Sequence, residues 1–299
     1  MRPASDEVCD TMPQTASERL LILTCDEFGE LPSANRAVME AMACATAAGI
    51  AVGATIQMPA PSAGDAAAYT AAHPSADVGV HLTIESGRGT MKFRPLAPAE
   101  QVRSLCGPDG CLWPTAAMAW QHAGEEEVYC ECRAQIEAAL ALGVDVTHLD
   151  GHGGFQGGNP AGYLHVCGRL AGEFGLPLRV RAKDWYASVG AEQEWDAVRE
   201  RGVLTSDGCW DLGVRDTGES YRDFYHRLLR RLPHGLTDVY AHPCQGSEEL
   251  LTLQPERAAT RIEQWKLLRN VRYLSEALSG GGVRTTTWRE IRDRQRAGG

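Results

Sequence analysis

The sequence predicts an α/β fold, specifically a distorted (β/α) barrel of about seven mostly parallel strands with its active site at their C-terminal ends. Short apolar runs of strand length alternate with longer segments of helical periodicity along the chain. Several of the apolar runs end abruptly in carboxylate or imidazole side chains. No glycine-rich dinucleotide fingerprint is present, which favours a barrel over a dinucleotide-binding open sheet.

The length, composition and net charge of the chain limit its possible domain organisation and partners. The length of 299 residues suits one large α/β domain, and we expect a single catalytic domain over residues 18–299. Residues 1–17 contain acidic residues and no apolar segment, which predicts a disordered leader rather than a secretory signal. The net charge of −10 argues against nucleic acid and anionic membranes as partners. We therefore expect a cytoplasmic protein with a small-molecule substrate, and a homodimer is left open.

The elements of the first half follow from local patterns. Residues 19–25 are an apolar run of strand length, and Ser33 and Asn35 can cap a helix that extends to about Ala48. Acidic residues open the helical pattern at 125–142, which suits the helix dipole. The remaining predicted segments here are strands at 51–57, 77–83 and 144–149, a short helix at 65–72, and a Gly- and Pro-containing excursion at 86–124.

The second half continues the alternation. Residues 160–174 are predicted to form a helix, because Pro160 suits its first turn. The remaining predicted segments are strands at 176–180, 237–241 and 283–288, helices at 219–231 and 255–270, and a short helix after the last strand.

Polar side chains recur where the predicted strands end. In a parallel barrel these ends lie on one face, so the side chains are expected to converge. Two or three imidazoles with a carboxylate can bind a divalent metal ion, and a further carboxylate and histidine remain for acid–base chemistry. The residues concerned are Asp26, Glu27, His81, Asp150, His152 and His242.

Each of these residues also has a purely structural interpretation. His81 could be a hydrogen-bonded core histidine, and His242, which precedes a proline, could be a turn residue. His148 is predicted to be structural because it precedes the buried Leu149, and Arg179 could simply pair with Asp150. The recurrence of such residues at several strand ends is what favours a metal site.

The cysteines offer a second metal hypothesis. Cys106, Cys111, Cys130 and Cys132 could supply four thiolates, but their spacings differ from the paired Cys-x-x-Cys of structural zinc sites. Ordinary reduced thiols are expected instead.

Five short segments resemble motifs of the YdjC/ChbG carbohydrate deacetylases, in the same order. Thr24-Cys-Asp-Glu-Phe-Gly29 resembles the family's Asn-Ala-Asp-Asp-Phe-Gly opening, and Asn35 matches an asparagine shortly after it. Gly79-Val-His-Leu-Thr83 resembles Gly-x-His-Leu-Thr. Thr147-His-Leu-Asp-Gly-His152 resembles Thr-His-Leu-Asp-Ser-His, and Ala241-His-Pro243 resembles Cys-His-Pro. The resemblance covers about residues 19 to 290.

The resemblance implies a distorted (β/α) barrel and metal-dependent removal of acetyl groups from N-acetylated sugars. By position, Asp26 would be the general base and His242 the general acid. Glu27, His81 and His152 would hold one divalent metal ion, Zn²⁺ or Mg²⁺, with Mn²⁺ and Co²⁺ as alternatives. The predicted substrate-binding residues are Asp150, Arg179, Trp185 and Tyr186.

Two departures from the family pattern leave alternatives open. Glu27 stands where the family has aspartate, and Gly154 and Gln156 stand where two further histidines usually follow. One alternative is the same metal site with another reaction, such as hydrolysis of another amide or ester, or a lyase or isomerase step. The other is a catalytically inactive relative that binds a sugar or a protein partner.

Overall fold

The computed structural model describes residues 18–87, 90–213, 218–279 and 282–298. The predicted leader at residues 1–17 lies outside the described residues. The described strands are β1 (Arg19–Phe28), β2 (Gly53–Ile56), β3 (Val78–Leu82), β4 (Leu149–Gly151), β5 (Gly208–Asp211), β6 (Gly235–Ala241) and β7 (Arg284–Thr285).

Helices separate most of the strands. The described α-helices are α1 (Pro32–Ala47), α2 (Ala63–Ala72), α3 (Ala116–His122), α4 (Glu125–Ala141), α5 (Phe155–Gly158), α6 (Pro160–Phe174), α7 (Lys183–Ser188), α8 (Glu192–Glu200), α9 (Tyr221–Arg231), α10 (Glu248–Leu253), α11 (Pro255–Leu268), α12 (Val271–Ser279) and α13 (Trp288–Gly298), with a 3-10 turn at Arg103–Leu105.

The sheet is parallel and curls into a distorted barrel, which confirms the predicted fold class. Its strand order is β4-β3-β2-β1-β6-β5, with β7 beside β1, and every one of these pairs is parallel. Single parallel bridges join Leu149 to Leu178 and Leu178 to Thr205. These bridges continue the ring from β4 towards β5, so the C-terminal strand ends face a common centre.

Two predicted strands are wrong as regular strands. In 144–149, the Val146 N–H bonds to the Val144 carbonyl two residues earlier. Hydrogen bonds to β3 begin at Thr147, and the regular strand begins only at Leu149. In 176–180, Leu178 makes only isolated bridges, and the Val180 N–H donates to the Ser206 Oγ instead of to a neighbouring strand. Both segments are nevertheless extended enough to place the polar residues near them at the barrel mouth.

The starts of helices α1 and α13 also differ from the sequence prediction. Helix α1 begins after Leu31 without a side-chain cap, and Asn35 instead accepts a 2.6 Å hydrogen bond from the Gly29 N–H. The predicted strand 283–288 is cut to β7, because the Asp77 carboxylate accepts from the N–H of Trp288 and begins α13 there. Asn35 therefore fixes the turn after β1 rather than the start of a helix.

The segment between residues 183 and 211 was predicted without elements, yet it contains α7, α8 and β5. Helices α3, α5, α10 and α12 were also not predicted as separate elements. In the part of the chain that the structure describes, no helix is both long and apolar enough to span a membrane.

Candidate active site

The predicted site residues do converge at the C-terminal end of the barrel. Asp26 and Glu27 lie near the end of β1, His81 lies in β3, Asp150 in β4, and His242 directly follows β6. Of these, Asp26, His81 and His242 line a cavity of about 90 Å³, whose wall also includes Gln156, Arg179 and Arg181. The residues that the sequence spreads over more than 200 positions thus form one site.

Arg179 lies at the centre of a buried charge network below this cavity. Its guanidinium pairs with Asp26 through two hydrogen bonds of 2.8 and 2.6 Å. It also contacts the Asp150 carboxylate and, at 3.4 Å, that of Asp238. Burial opposes the charge of Arg179, but these carboxylates outweigh it and hold the pKa of the guanidinium well above its usual value. Three strands are therefore tied together by one cation.

Asp150 orients His81. The His81 Nδ1 lies 2.8 Å from the Asp150 Oδ1, and both side chains are buried. Burial lowers the pKa of the His81 imidazole, but Asp150 outweighs that effect, and the net direction is upward. A carboxylate on one ring nitrogen fixes the imidazole and leaves the other nitrogen for a ligand, as in many metal sites. Asp150 thus contacts His81 and Arg179 but not the cavity, and its predicted substrate-binding role stays a prediction.

Glu27 is strained, buried and electrostatically stabilised. Its backbone φ of 63° is unusual for a non-glycine residue, and such strain concentrates at functional sites. Its carboxylate lies 3.0 Å from Arg261, 3.5 Å from Arg257 and 4.0 Å from His242. Burial opposes its ionisation, but Arg261, His242 and Arg257 outweigh burial and hold the pKa of Glu27 well below its usual range. Glu27 is therefore a carboxylate in the folded protein.

His152 completes the group. Its ring is 2% exposed and lies edge-on to the His81 ring, with the ring centroids 5.1 Å apart. Its Nε2 is 3.9 Å from a Glu85 oxygen.

The structure brings together carboxylates and imidazoles that could serve as donors to a divalent cation. Among the described residues, one group of three places ligand atoms within 4.8 Å of one another, namely Asp26, His81 and Asp150. It shares only His81 with the predicted ligand set, because Glu27 and His152 are not part of it. Arg179 already engages both of its carboxylates. Neither buried oxygen of Glu27 has a hydrogen-bond partner in the described part of the chain. A buried carboxylate without hydrogen-bond partners, close to imidazoles, offers the kinds of ligand atom that bind Zn²⁺ in proteins.

His242 lines the same cavity as Arg179. Its Nδ1 is 3.9 Å from the Asp211 carboxylate, and its backbone N–H donates to Gln264. Burial lowers the pKa of its imidazole despite the opposing effects of Glu27 and Asp211. The imidazole lines the cavity, so it is placed to exchange a proton with a bound molecule.

The predicted aromatic pair is divided by the structure. Tyr186 is fully buried and donates its hydroxyl to the Gln156 Oε1 at 3.0 Å, so it can reach a substrate only through Gln156. Trp185 is half-buried, and the Arg181 guanidinium lies 4.5 Å from its ring centroid. Only Trp185 is available for stacking, and its predicted role stays a prediction.

His148, which stacks on Trp288 with ring centroids 4.9 Å apart, is structural as predicted.

Sequence reasoning missed several residues of the site. Arg257 and Arg261 reach Glu27 from α11, and Asp238 reaches Arg179 from β6. Two arginines four residues apart on a predicted helix were the available signal, because buried acids require cations. The cysteine hypothesis gains no support, since the described cysteines are free thiols and those at 106, 111, 130 and 132 belong to no metal-binding group among the described residues.

A pH dependence of stability follows from Asp238. Burial raises the pKa of this carboxyl from 3.8 to about 6, although Arg179 opposes the shift. The folded state then binds more protons than the unfolded state between these values, so stability falls as the pH rises from about 4 to about 6. In the wild type, the free energy of unfolding is expected to fall over this pH range, and we expect Asp238→Asn to remove about 1–3 kcal/mol of that fall. The measurement is urea unfolding of the wild type and the variant at several pH values between about 4 and about 6. Parallel wild-type and variant profiles would contradict this assignment.

Comparisons with known proteins agree with the geometry. The sequence profile of a family described as "YdjC-like protein" matches residues 20–276. A carbohydrate deacetylase of Thermoanaerobacter pseudethanolicus is 24% identical over 250 residues, which cover 82% of this chain and 89% of that protein. A carbohydrate deacetylase of Enterococcus faecalis is 31% identical over 166 residues, covering 54% of this chain and 59% of that protein.

A solved structure shares the fold. A crystal structure of an Enterococcus faecalis protein named for cellobiose-phosphate cleavage superposes with a TM-score of 0.76, at 24% sequence identity. The superposition covers 92% of this chain and 99% of that protein. At this identity the likeness concerns the fold alone.

Proposed function

Because this chain belongs to the YdjC-like protein family, we propose that it is a metal-dependent amide hydrolase that removes an acetyl group from an N-acetylated amino sugar or a sugar-containing small molecule. The observation that carries the proposal is the convergence of carboxylates and imidazoles on one cavity at the strand ends. The names of the relatives, which are carbohydrate deacetylases, supply the reaction class.

Glu27, His81 and His152 are the proposed metal ligands. The buried oxygens of Glu27 and the Asp150-oriented ring of His81 support this set. When bound, a divalent cation supplies Lewis acidity toward the acetamide oxygen. Zn²⁺ or Mg²⁺ is the proposed ion, with Mn²⁺ and Co²⁺ as alternatives, because the donor set alone does not select among them.

Asp26 and His242 are the proposed proton-transfer groups. Asp26 lines the cavity, and Arg179 and Thr55 donate three hydrogen bonds to its two oxygens. A carboxylate accepts about four, so Asp26 retains capacity to take a proton from an attacking water. His242 gives a proton to the departing sugar amine. The proposal also places the protein in the cytoplasm.

The metal ligands predict a measurable loss of metal. We expect His81→Gln and His152→Gln each to lower the bound Zn²⁺ or Mn²⁺ per chain, because each removes an imidazole donor. The measurement is elemental analysis after dialysis against the metal. His165→Gln is the control, since this histidine is exposed and belongs to the surface. Unchanged metal content in both variants would rule out this ligand set.

The activity itself is tested by acetate release. The wild-type protein, loaded with Zn²⁺, Mn²⁺ or Mg²⁺, is expected to release acetate from one or more members of a panel of N-acetylglucosamine derivatives. A metal-loaded protein that releases no acetate from a broad acetamide panel would end the deacetylase proposal and favour another reaction at the same site.

One observation favours the alternative of a catalytically inactive relative that binds a sugar or a protein partner. Glu27 contacts two arginines, and these neutralise its carboxylate without any metal ion. The same elemental analysis distinguishes the two proposals, because this alternative requires that the wild-type protein take up no divalent cation.

A further inference from the structure

Glu85 ties together two loops at the edge of the active site. It lies three residues beyond the end of β3, and its side chain is 12% exposed. One carboxylate oxygen accepts a hydrogen bond of 3.2 Å from the Gly154 N–H, and the other accepts one of 2.5 Å from the Ala116 N–H. Glu85 therefore fixes the chain that follows β4 against the first turn of α3.

Gly153, which follows His152, packs directly against the Glu85 carboxylate. Gly153 has a φ of 53°, and a Cβ there would lie 1.8 Å from the Glu85 Oε1. At Gly154, by contrast, a Cβ would meet the Ala116 Cβ at an ordinary 3.5 Å. The carboxylate of Glu85 thus occupies the space that a side chain at position 153 would need. The turn after His152 and Glu85 form one unit.

The same carboxylate faces the imidazole. The Glu85 Oε1, which accepts from Gly154, is also the oxygen 3.9 Å from the His152 Nε2. His152 in turn lies against His81, with the ring centroids 5.1 Å apart. The Glu85 carboxylate therefore anchors the backbone after His152 and also places a negative charge beside the His152 ring.

We propose that Glu85 is a positioning residue that holds His152 in the orientation required for metal binding. This inference rests on the proposed metal site. Glu85 acts through His152, by anchoring the following turn and by adding a negative charge beside the imidazole. Outer carboxylates of this kind typically change metal affinity by about 10–100-fold when they are removed.

Metal affinity is the first test. Glu85→Gln keeps the size of the side chain and one oxygen that can accept from a backbone N–H, but it removes the charge. We expect the dissociation constant of this variant for Zn²⁺ or Mn²⁺ to rise by about 10–100-fold in calorimetric titration. Glu85→Asp keeps the charge and should bind more tightly than Glu85→Gln. An affinity of Glu85→Gln equal to that of the wild type would overturn the proposal.

Glu131→Gln is a matched control for this titration. Glu131 is also a buried carboxylate that accepts backbone N–H groups of the same excursion, those of Leu96 and Ala97, but it contacts neither histidine in the described structure. We expect its metal affinity to equal that of the wild type. An equal loss of affinity in Glu131→Gln and Glu85→Gln would mean that loosening the excursion, not Glu85 itself, weakens the site, and would overturn the proposal.

A second measurement is independent of metal and separates this inference from the proposed function. In the metal-free protein, the ring nitrogen signals of His152 are assigned from the signals missing in His152→Gln. We expect Glu85→Gln to shift these signals and to leave those of the exposed His165 unchanged. If the wild-type protein binds no metal, the metal-dependent function fails, yet a shift still supports the contact. Unshifted His152 signals would overturn the positioning role whatever the metal content.

Discussion

Replacing Asp26 with asparagine is expected to lower kcat by roughly two to four orders of magnitude, which is the usual contribution of a general base. Asparagine keeps the shape of the side chain and one oxygen acceptor, but it cannot take a proton from water at neutral pH. Because Asp26 is not among the proposed metal ligands, the variant should bind the divalent cation as the wild type does. The measurements are acetate release at saturating substrate and elemental analysis of the same sample.

The position of Asp26 requires a check on folding. Its carboxylate pairs with the buried Arg179, so the thermal unfolding midpoint of Asp26→Asn must be measured and must lie above the assay temperature. Asp196→Asn is the matched control, because Asp196 is a partly exposed carboxylate that binds Lys183 away from the cavity. A folded, metal-loaded Asp26→Asn with the wild-type kcat would exclude Asp26 as the base.

Replacing Arg179 with methionine is expected to lower the free energy of unfolding by about 3–5 kcal/mol, the usual cost of leaving a buried charge without its partner. Arg179 is 2% exposed, and it contacts the carboxylates of Asp26, Asp150 and Asp238. Methionine fills much of the volume but neutralises none of these acids. The measurement is urea unfolding near neutral pH, where the uncompensated carboxylates repel one another.

Arg181 provides the comparison for this prediction. It lies two residues further along the same segment, is exposed, and stacks over Trp185. Arg181→Met is expected to change the free energy of unfolding by no more than about 0.5 kcal/mol, as is typical of surface positions. Arg179→Lys should fall between the two, since a single ammonium keeps the charge but loses the two-pronged contact with Asp26. Equal stabilities of the Arg179→Met and Arg181→Met variants would refute the central role of this network.

The strand-end residues were predictable because they depend on a local pattern. Asp26 and Glu27 interrupt an apolar run, and acids in that position require a cation. The same reasoning applied to His81, His152 and His242, and the barrel geometry brought all of them to one end: His81 and His242 line the cavity, and the His152 ring lies against that of His81. The order of the motifs then supplied a reaction class that no single residue indicates.

The identity of the cations was not predictable. The sequence suggested a metal ion as the cation beside Glu27, with Asp26 as a free general base. In the structure, Arg179 binds Asp26, and Arg261 contacts Glu27 from a helix more than 200 residues later. Which arginine meets which acid depends on the rotation of α11 and on an irregular segment around Leu178, and neither follows from local propensity.

The sequence by itself determined the alternation of strands and helices, and with it the barrel and the end of the barrel that carries the chemistry, because apolar periodicity and strand-end polarity are local properties. The pairing of Arg179 with Asp150 was already one interpretation of the sequence, but only the tertiary structure decided the other charge partners. It paired Asp150 with His81, Arg179 with three carboxylates, and Glu85 with the turn after His152. Such pairings are set by distances of a few ångströms between segments far apart in the chain, and the energy of a buried charge depends on those distances.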